Sequence, residues 1–147
     1  TPNVTDVASF AVAAEVAGAD AVSLVNTFLA MVIDVETRRP KISNGVGGLS
    51  GPAIRPIAVR MVHECRQAIT IPIIGMGGIM DARDVLEFLI AGATAVQVGT
   101  ACFVDPLIWP KLLAGVTSYL ERHGIDRVAD LVGTLDMTHP AARKTHA

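Results

Sequence analysis

The chain has 147 residues, a length that fits one domain. Hydrophobic residues make up 51% and charged residues 18%, below the usual charged share of about 25%, which indicates the apolar core that buried parallel sheets require. A net charge of −2 without a basic cluster excludes nucleic acid as a partner, and no run reaches the roughly 18 apolar residues of a membrane span.

The first third of the chain predicts a helix, a strand and a hairpin. Residues 6–17 are typical of a helix, with Thr5 as its N-cap. A buried strand is predicted over residues 21–25. Residues 31–42 alternate loosely around a polar turn, which indicates a small β-hairpin inserted after the first strand.

In the middle of the chain, a loop precedes helices and strands that alternate. A glycine-rich loop is predicted over residues 44–52, and a helix over residues 53–68 begins where it ends. A strand follows at residues 72–75. The next helix is predicted over residues 82–91, with Asp81 as its N-cap.

The last predicted strand covers residues 94–98, and the remainder is helical. Helical turns are expected at residues 101–103, a longer helix at 110–123 and a short final helix at 125–135. Residues 138–147 are predicted to be a disordered tail.

The alternation of helices with continuous apolar strands predicts an α/β fold with parallel strands and right-handed crossovers. About three main strands are present, whereas a closed eight-stranded barrel needs about 250 residues. The chain is therefore either a small open sheet or the last part of a barrel.

Two of the predicted strands end on glycine where a helix begins. Gly77 and Gly78 follow the second main strand, and Gly99 and Thr100 follow the third. In a barrel, such junctions often hold a phosphate through backbone N–H groups. Glycine has no side chain, so the phosphate can come close to the backbone there. The pattern predicts a phosphate-bearing cofactor or substrate, with simple tight turns as the alternative.

The two cysteines, Cys65 and Cys102, have neither Cys-x-x-Cys nor metal-ligand spacing. They predict neutral thiols in a reducing cytoplasm and no metal site.

Separated motifs in the chain then point to a known family. The motifs are Val25-Asn26-Thr27, residues 47–53, residues 72–78 and residues 98–100. In this order and spacing they resemble the C-terminal part of the catalytic subunit of class 1 dihydroorotate dehydrogenase, most closely its NAD-linked form. The resemblance implies the C-terminal part of a TIM (β/α)8 barrel that binds FMN and oxidises dihydroorotate to orotate in pyrimidine synthesis. Residues 1–147 would then form a partial FMN-binding domain.

The resemblance also implies a role for each matching position. It assigns the FMN phosphate to Gly77, Gly78, Gly99 and Thr100, the flavin side of the cofactor to Gly51 and Val25, and the orotate to Asn26 and Thr27. An Asn amide offers a donor and an acceptor together, which suits a planar, multiply hydrogen-bonding anion.

The family's catalytic base is a cysteine in a loop that this sequence does not match, so neither Cys65 nor Cys102 is assigned as the base. The resemblance further implies a homodimer, a partner subunit carrying FAD and an iron–sulfur cluster, and a cytoplasmic location.

Two alternatives stay open from the sequence. The chain could be part of another FMN- or phosphate-binding barrel enzyme, or a non-catalytic fragment that binds a ligand or complements a partner half. Because a partial barrel exposes sheet edges and apolar interior, we expect the chain alone to be inactive and to be marginally stable, oligomeric or aggregation-prone.

Overall fold

The structure is a computed structural model, and it describes residues 1–138. The predicted tail therefore lies, except for Thr138, outside the described residues. The helices are α1 (Val7–Val16), α2 (Arg55–Ala68), α3 (Ala82–Ala91), α4 (Ala101–Val104) and α5 (Ile108–His123); the strands are β1 (Val22–Leu24), β2 (Phe28–Ala30), β3 (Ile33–Asp34), β4 (Arg39–Pro40), β5 (Gly47–Leu49), β6 (Ile73–Met76) and β7 (Ala95–Gln97). Short 3-10 helices lie at Pro52–Ile54 and Val128–Leu131.

A three-stranded parallel sheet with the order β1-β6-β7 forms the centre of the molecule. Val22 lies opposite Ile73, and Ile74 lies opposite Ala95. Helices α2 and α3 contact β6. This arrangement confirms the prediction of an α/β fold that corresponds to part of a barrel.

The two faces of this sheet differ in burial. On the helix-covered face Phe88 is fully buried, and it lies so close to β6 that a Cβ on Gly75 would stand 2.6 Å from its ring. On the opposite face Ser23 and Gln97 are exposed, and the Ser23 hydroxyl donates to Gln97 Oε1 at 3.1 Å across the intervening strand. The sheet is therefore covered by helices on one side only, and β1 and β7 are its edges.

This exposed face agrees with the expectation that the chain alone is marginally stable or self-associating, which stays a prediction.

Within residues 1–138, no helix is both long and apolar enough to cross a membrane.

The insertion between β1 and α2 holds two small antiparallel pairs. Strands β3 and β4 form the predicted hairpin, although they are shorter than residues 31–42. Strand β5 pairs with β2, so the prediction of a loop throughout residues 44–52 is wrong at its centre. Glycine makes this pairing possible, because a Cβ on Gly48 would stand 2.2 Å from Thr27 Oγ1.

The structure differs from the predicted helices at three places. The N-cap of α1 is Asp6 rather than Thr5, because the Asp6 carboxylate accepts hydrogen bonds from the backbone N–H and the hydroxyl of Ser9. The helix predicted over residues 53–68 begins with a 3-10 turn. The final helix predicted over residues 125–135 is only a short 3-10 turn within that range. Helix α3 and its Asp81 N-cap agree with the prediction.

Replacing Asp6 by alanine is expected to lower the melting temperature by about 2–4 °C at neutral pH, since it removes the cap of α1. The bonds from the Ser9 hydroxyl and backbone N–H hold the pKa of Asp6 below its ordinary value of 3.8. Because the pKa of Asp6 is lower in the folded state than in the unfolded state, its bonds to Ser9 stabilise the fold fully above the unfolded-state pKa. This contribution is lost as the pH falls through the folded-state pKa. Thermal unfolding from pH 7 to pH 2 should show the two proteins converging below the ordinary pKa. Thr5→Ala is the matched control, and a loss as large as that of Asp6→Ala would contradict this cap assignment.

Candidate functional site

A cavity of about 400 Å³ lies at the carboxyl ends of β1, β6 and β7. The loops that follow these three strands form its walls, together with the turn before α2. Carboxyl ends of parallel strands share one edge of a sheet, which is where α/β folds place their ligand sites.

All residues predicted to contact a cofactor or substrate line this cavity. They are Val25, Asn26, Thr27, Gly51, Gly77, Gly78, Gly99 and Thr100. The structure thus brings together segments that are widely separated in the sequence. The contacts assigned to these residues stay predictions.

The Gly77-Gly78 turn needs glycine for reasons internal to the protein. Gly77 has φ 124° and Gly78 has φ 77°, both in the region that other residues rarely adopt. A Cβ on Gly78 would stand 2.6 Å from the carbonyl oxygen of Gly51 and 2.9 Å from Arg55 Cβ. The turn after β6 therefore lies directly against the start of α2.

Gly51 places the amino end of a long helix at the cavity. With φ 87°, it precedes the 3-10 turn Pro52–Ile54, which leads directly into α2. Both Gly51 and Ile54 line the cavity. A helix amino end carries a partial positive charge, so this wall favours an anionic ligand.

Gly99 differs from every other glycine among residues 1–138. It has no left-handed φ, and no described atom lies within 4 Å of the position that a Cβ would take. Neither backbone conformation nor packing within the described residues therefore requires glycine there. The adjacent Thr100 donates from its hydroxyl to Ser50 Oγ at 3.1 Å, which links the loop after β7 to the loop before α2.

Asn26 and Thr27 follow β1 and are both exposed to the cavity. Asn26 Oδ1 accepts from the backbone N–H of Thr27 at 2.7 Å. Asn3 supports this segment, since its side chain donates to the Thr27 carbonyl at 3.3 Å and accepts from Leu29 N at 2.9 Å. The Asn26 amide oxygen is thus used locally, which leaves its NH₂ group for a ligand. The Leu24–Val25 peptide bond is cis.

The cavity lining carries hydrogen-bond donors but no charge. Within residues 1–138, none of its side chains is charged. In the same part of the chain, the backbone N–H groups of Gly78, Gly99 and Thr100 donate to no backbone carbonyl in the loops and turns. Unpaired N–H groups at neighbouring loops can donate hydrogen bonds to a phosphate in place of water.

Some lining residues were missed by the sequence reasoning. They include Ser50, Ile54, Met80 and Gln97. Strand alternation could have indicated Gln97. Gly75 and its partner Val96 lie on the helix-covered face of the sheet, so Gln97, the next residue along β7, lies on the opposite face. Ser50 could have been inferred from its position next to Gly51, but its bond to Thr100 depends on tertiary structure.

Neither cysteine lines the cavity. Cys65 is fully buried in α2, and burial raises the pKa of its thiol to about 11, so the reactive thiolate is scarce. The Cys102 thiol is half-buried and donates to the Val98 carbonyl at 3.6 Å. The described residues also contain no cluster of His, Cys, Asp and Glu that could hold a metal ion.

We expect a thiol reagent at pH 8 to modify Cys102 in the native chain and Cys65 only after denaturation, because Cys65 is both inaccessible and protonated. The measurement is the time course of colour release from an aromatic disulfide reagent. In a Cys102→Ser variant the native reaction should disappear. Rapid native labelling of that variant would contradict the burial of Cys65.

The parallel strands, the helices on one face and the cavity at the strand ends define the chain as part of a TIM-barrel protein. Residues 1–120 match the family model for dihydroorotate dehydrogenase. The chain belongs to the dihydroorotate dehydrogenase family.

Similar proteins agree with this assignment. The chain is 57% identical over 137 residues to the "dihydroorotate dehydrogenase B (NAD(+)), catalytic subunit" of Caldicellulosiruptor saccharolyticus, which covers 93% of this chain and 46% of that protein. It is 55% identical over 139 residues to the protein of the same name from Porphyromonas gingivalis, and this match covers 95% of this chain and 45% of that protein. A crystal structure of DHODH from Eimeria tenella in complex with ferulenol superposes with a TM-score of 0.75 at 27% identity, covering 91% of this chain and 36% of that one. The chain therefore spans about half the length of the curated relatives it matches.

Proposed function

We propose that the chain is the FMN-binding part of a catalytic subunit that oxidises dihydroorotate to orotate. The observation that carries this proposal is that all the residues assigned to cofactor and substrate line one cavity at the strand ends. Membership in the dihydroorotate dehydrogenase family supports the substrate, and it favours this reading over another phosphate-binding barrel.

The cavity fits the phosphate end of FMN. Gly77, Gly78, Gly99 and Thr100 supply backbone N–H groups at the cavity, and the amino end of α2 adds its dipole. Space beside Gly99 leaves room for close approach by the phosphate oxygens. These features support recognition of the dianion by backbone groups rather than by a cationic side chain.

We assign Asn26 and Thr27 to the substrate. The free NH₂ group of Asn26 would donate to a carbonyl or carboxylate oxygen of orotate, and the Thr27 hydroxyl would donate beside it. When bound, FMN supplies the hydride acceptor, so the residues of this chain bind and orient the two reactants.

The reaction also requires a base to remove a proton from the carbon next to the hydride donor. Cys65 is buried with a raised pKa, and Cys102 does not line the cavity. We therefore assign the base to the rest of the catalytic subunit. The relatives' names, which specify a catalytic subunit of an NAD(+) form, favour a partner subunit. That this partner carries FAD and an iron–sulfur cluster is what the family resemblance implies. A homodimer and a cytoplasmic location belong to the same proposal.

A hybrid protein tests the function. The chain replaces its counterpart in the Caldicellulosiruptor saccharolyticus catalytic subunit, to which it is 57% identical; we call this hybrid the completed subunit. It should purify with flavin absorbance and form orotate from dihydroorotate with an artificial electron acceptor. Asn26→Ala should lower kcat/KM for dihydroorotate and leave FMN content unchanged. Bound FMN without any orotate formation would favour another FMN enzyme, and absence of both would favour a non-catalytic fragment.

A further inference from the structure

Asp84 is a buried carboxylate near the cavity that the proposed chemistry does not use. It lies in the first turn of α3, and only 4% of its side chain is exposed. A buried carboxylate is costly unless it is paired and hydrogen-bonded, so its partners indicate what it does.

The two oxygens of Asp84 reach two different walls of the cavity. Oδ2 accepts from the backbone N–H of Met80 at 2.7 Å and of Asp81 at 3.1 Å, which fixes the end of the glycine turn. Oδ1 accepts from Arg55 Nη1. Arg55 is the first residue of α2, the helix whose amino end forms the adjacent wall.

These two walls also touch directly. The Gly78 backbone lies against Arg55, since a Cβ there would stand 2.9 Å from Arg55 Cβ and 3.1 Å from Arg55 N. The Arg55 guanidinium is committed to carboxylates, with Nε 3.1 Å from Glu87 Oε2 in an ion-pair contact that lacks hydrogen-bond geometry. Asp84 therefore fastens the glycine turn to α2 and holds the arginine charge at this junction.

We propose that Asp84 is a positioning residue that sets the preference of the cavity for a phosphorylated flavin over an unphosphorylated one. This inference rests on the proposed function. Through Met80 and Arg55, Asp84 fixes the spacing between the amides after β6 and the amino end of α2. Backbone donors bind a phosphate well only when they are held in place beforehand, and riboflavin lacks the phosphate that these donors would bind.

The test compares FMN with riboflavin in the completed subunit, by titration of flavin fluorescence. Asp84→Asn should weaken FMN binding about tenfold, the size expected for one coupled interaction in a network, and leave riboflavin binding unchanged. Arg55→Gln should act in the same direction, the double variant should lose little more than either single one, and Arg55→Lys should recover part of the loss.

Asp81→Ala is the matched control. Asp81 caps the same helix by accepting from Arg83 N and Asp84 N, but it makes no bond to α2. It should lower the melting temperature without changing the ratio of FMN to riboflavin affinity. Unchanged or tighter FMN binding by Asp84→Asn, an equal loss for both flavins, or the same ratio change in Asp81→Ala would overturn the inference. Failure of the unsubstituted completed subunit to bind FMN would instead reject the proposed function.

Discussion

Gly99→Ala in the completed subunit is expected to weaken FMN binding by about 10- to 100-fold and to leave the melting temperature of the flavin-free protein unchanged. The backbone at Gly99 is not left-handed, and a Cβ would meet no described atom within 4 Å, so the protein itself tolerates alanine. The added methyl would instead occupy space assigned to the phosphate. Overpacking costs typically about 1–3 kcal/mol, and 1.4 kcal/mol corresponds to tenfold in affinity. Flavin fluorescence titration and thermal unfolding measure the two effects.

Gly124→Ala provides the opposite combination of effects. Gly124 ends α5 with φ 63°, lies outside the cavity and also has open space where a Cβ would stand. Alanine there should lower stability by about 1 kcal/mol because of its left-handed backbone, while FMN affinity stays unchanged. If Gly99→Ala binds FMN as tightly as the unsubstituted protein, the phosphate is not bound beside Gly99.

Phe88→Ala is expected to have the largest effect on stability, a loss of about 3–5 kcal/mol. Phe88 is fully buried between α3 and β6, where a Cβ on Gly75 would stand 2.6 Å from its ring. Removing the ring leaves a cavity beneath the strand that leads into Gly77 and Gly78. Because small domains are stable by only about 5–15 kcal/mol, this is a large share of the total. The urea midpoint of unfolding measures it.

Phe103→Ala is the control for this prediction. Phe103 has the same side chain but is 91% exposed, so its replacement should change the free energy of unfolding by no more than about 0.5 kcal/mol. Equal losses for the two variants would mean that Phe103 is covered in the protein that is measured, or that Phe88 is not part of the core.

Local sequence signals were sufficient where they agreed with the tertiary structure. Helix α3 was predicted from its apolar spacing and its Asp81 cap, and the structure has the same boundaries. Predictions failed where the decisive contact was distant in sequence. The glycines predict a loop at Gly47–Leu49, whereas pairing with Phe28–Ala30 makes this segment a strand. The N-cap of α1 was misplaced by one residue because Thr5 and Asp6 are both good caps.

The sequence alone determined the order of the three main strands and of α1, α2, α3 and α5, and the identity of the residues at the strand ends, because these follow from local apolar spacing and from glycine. Only the tertiary structure decided that these ends surround one cavity, that Ser50 bonds to Thr100, and that Asp84 joins the glycine turn to α2. Such contacts link segments far apart in the chain, and they form only when parallel strands bring their carboxyl ends to the same edge of the sheet.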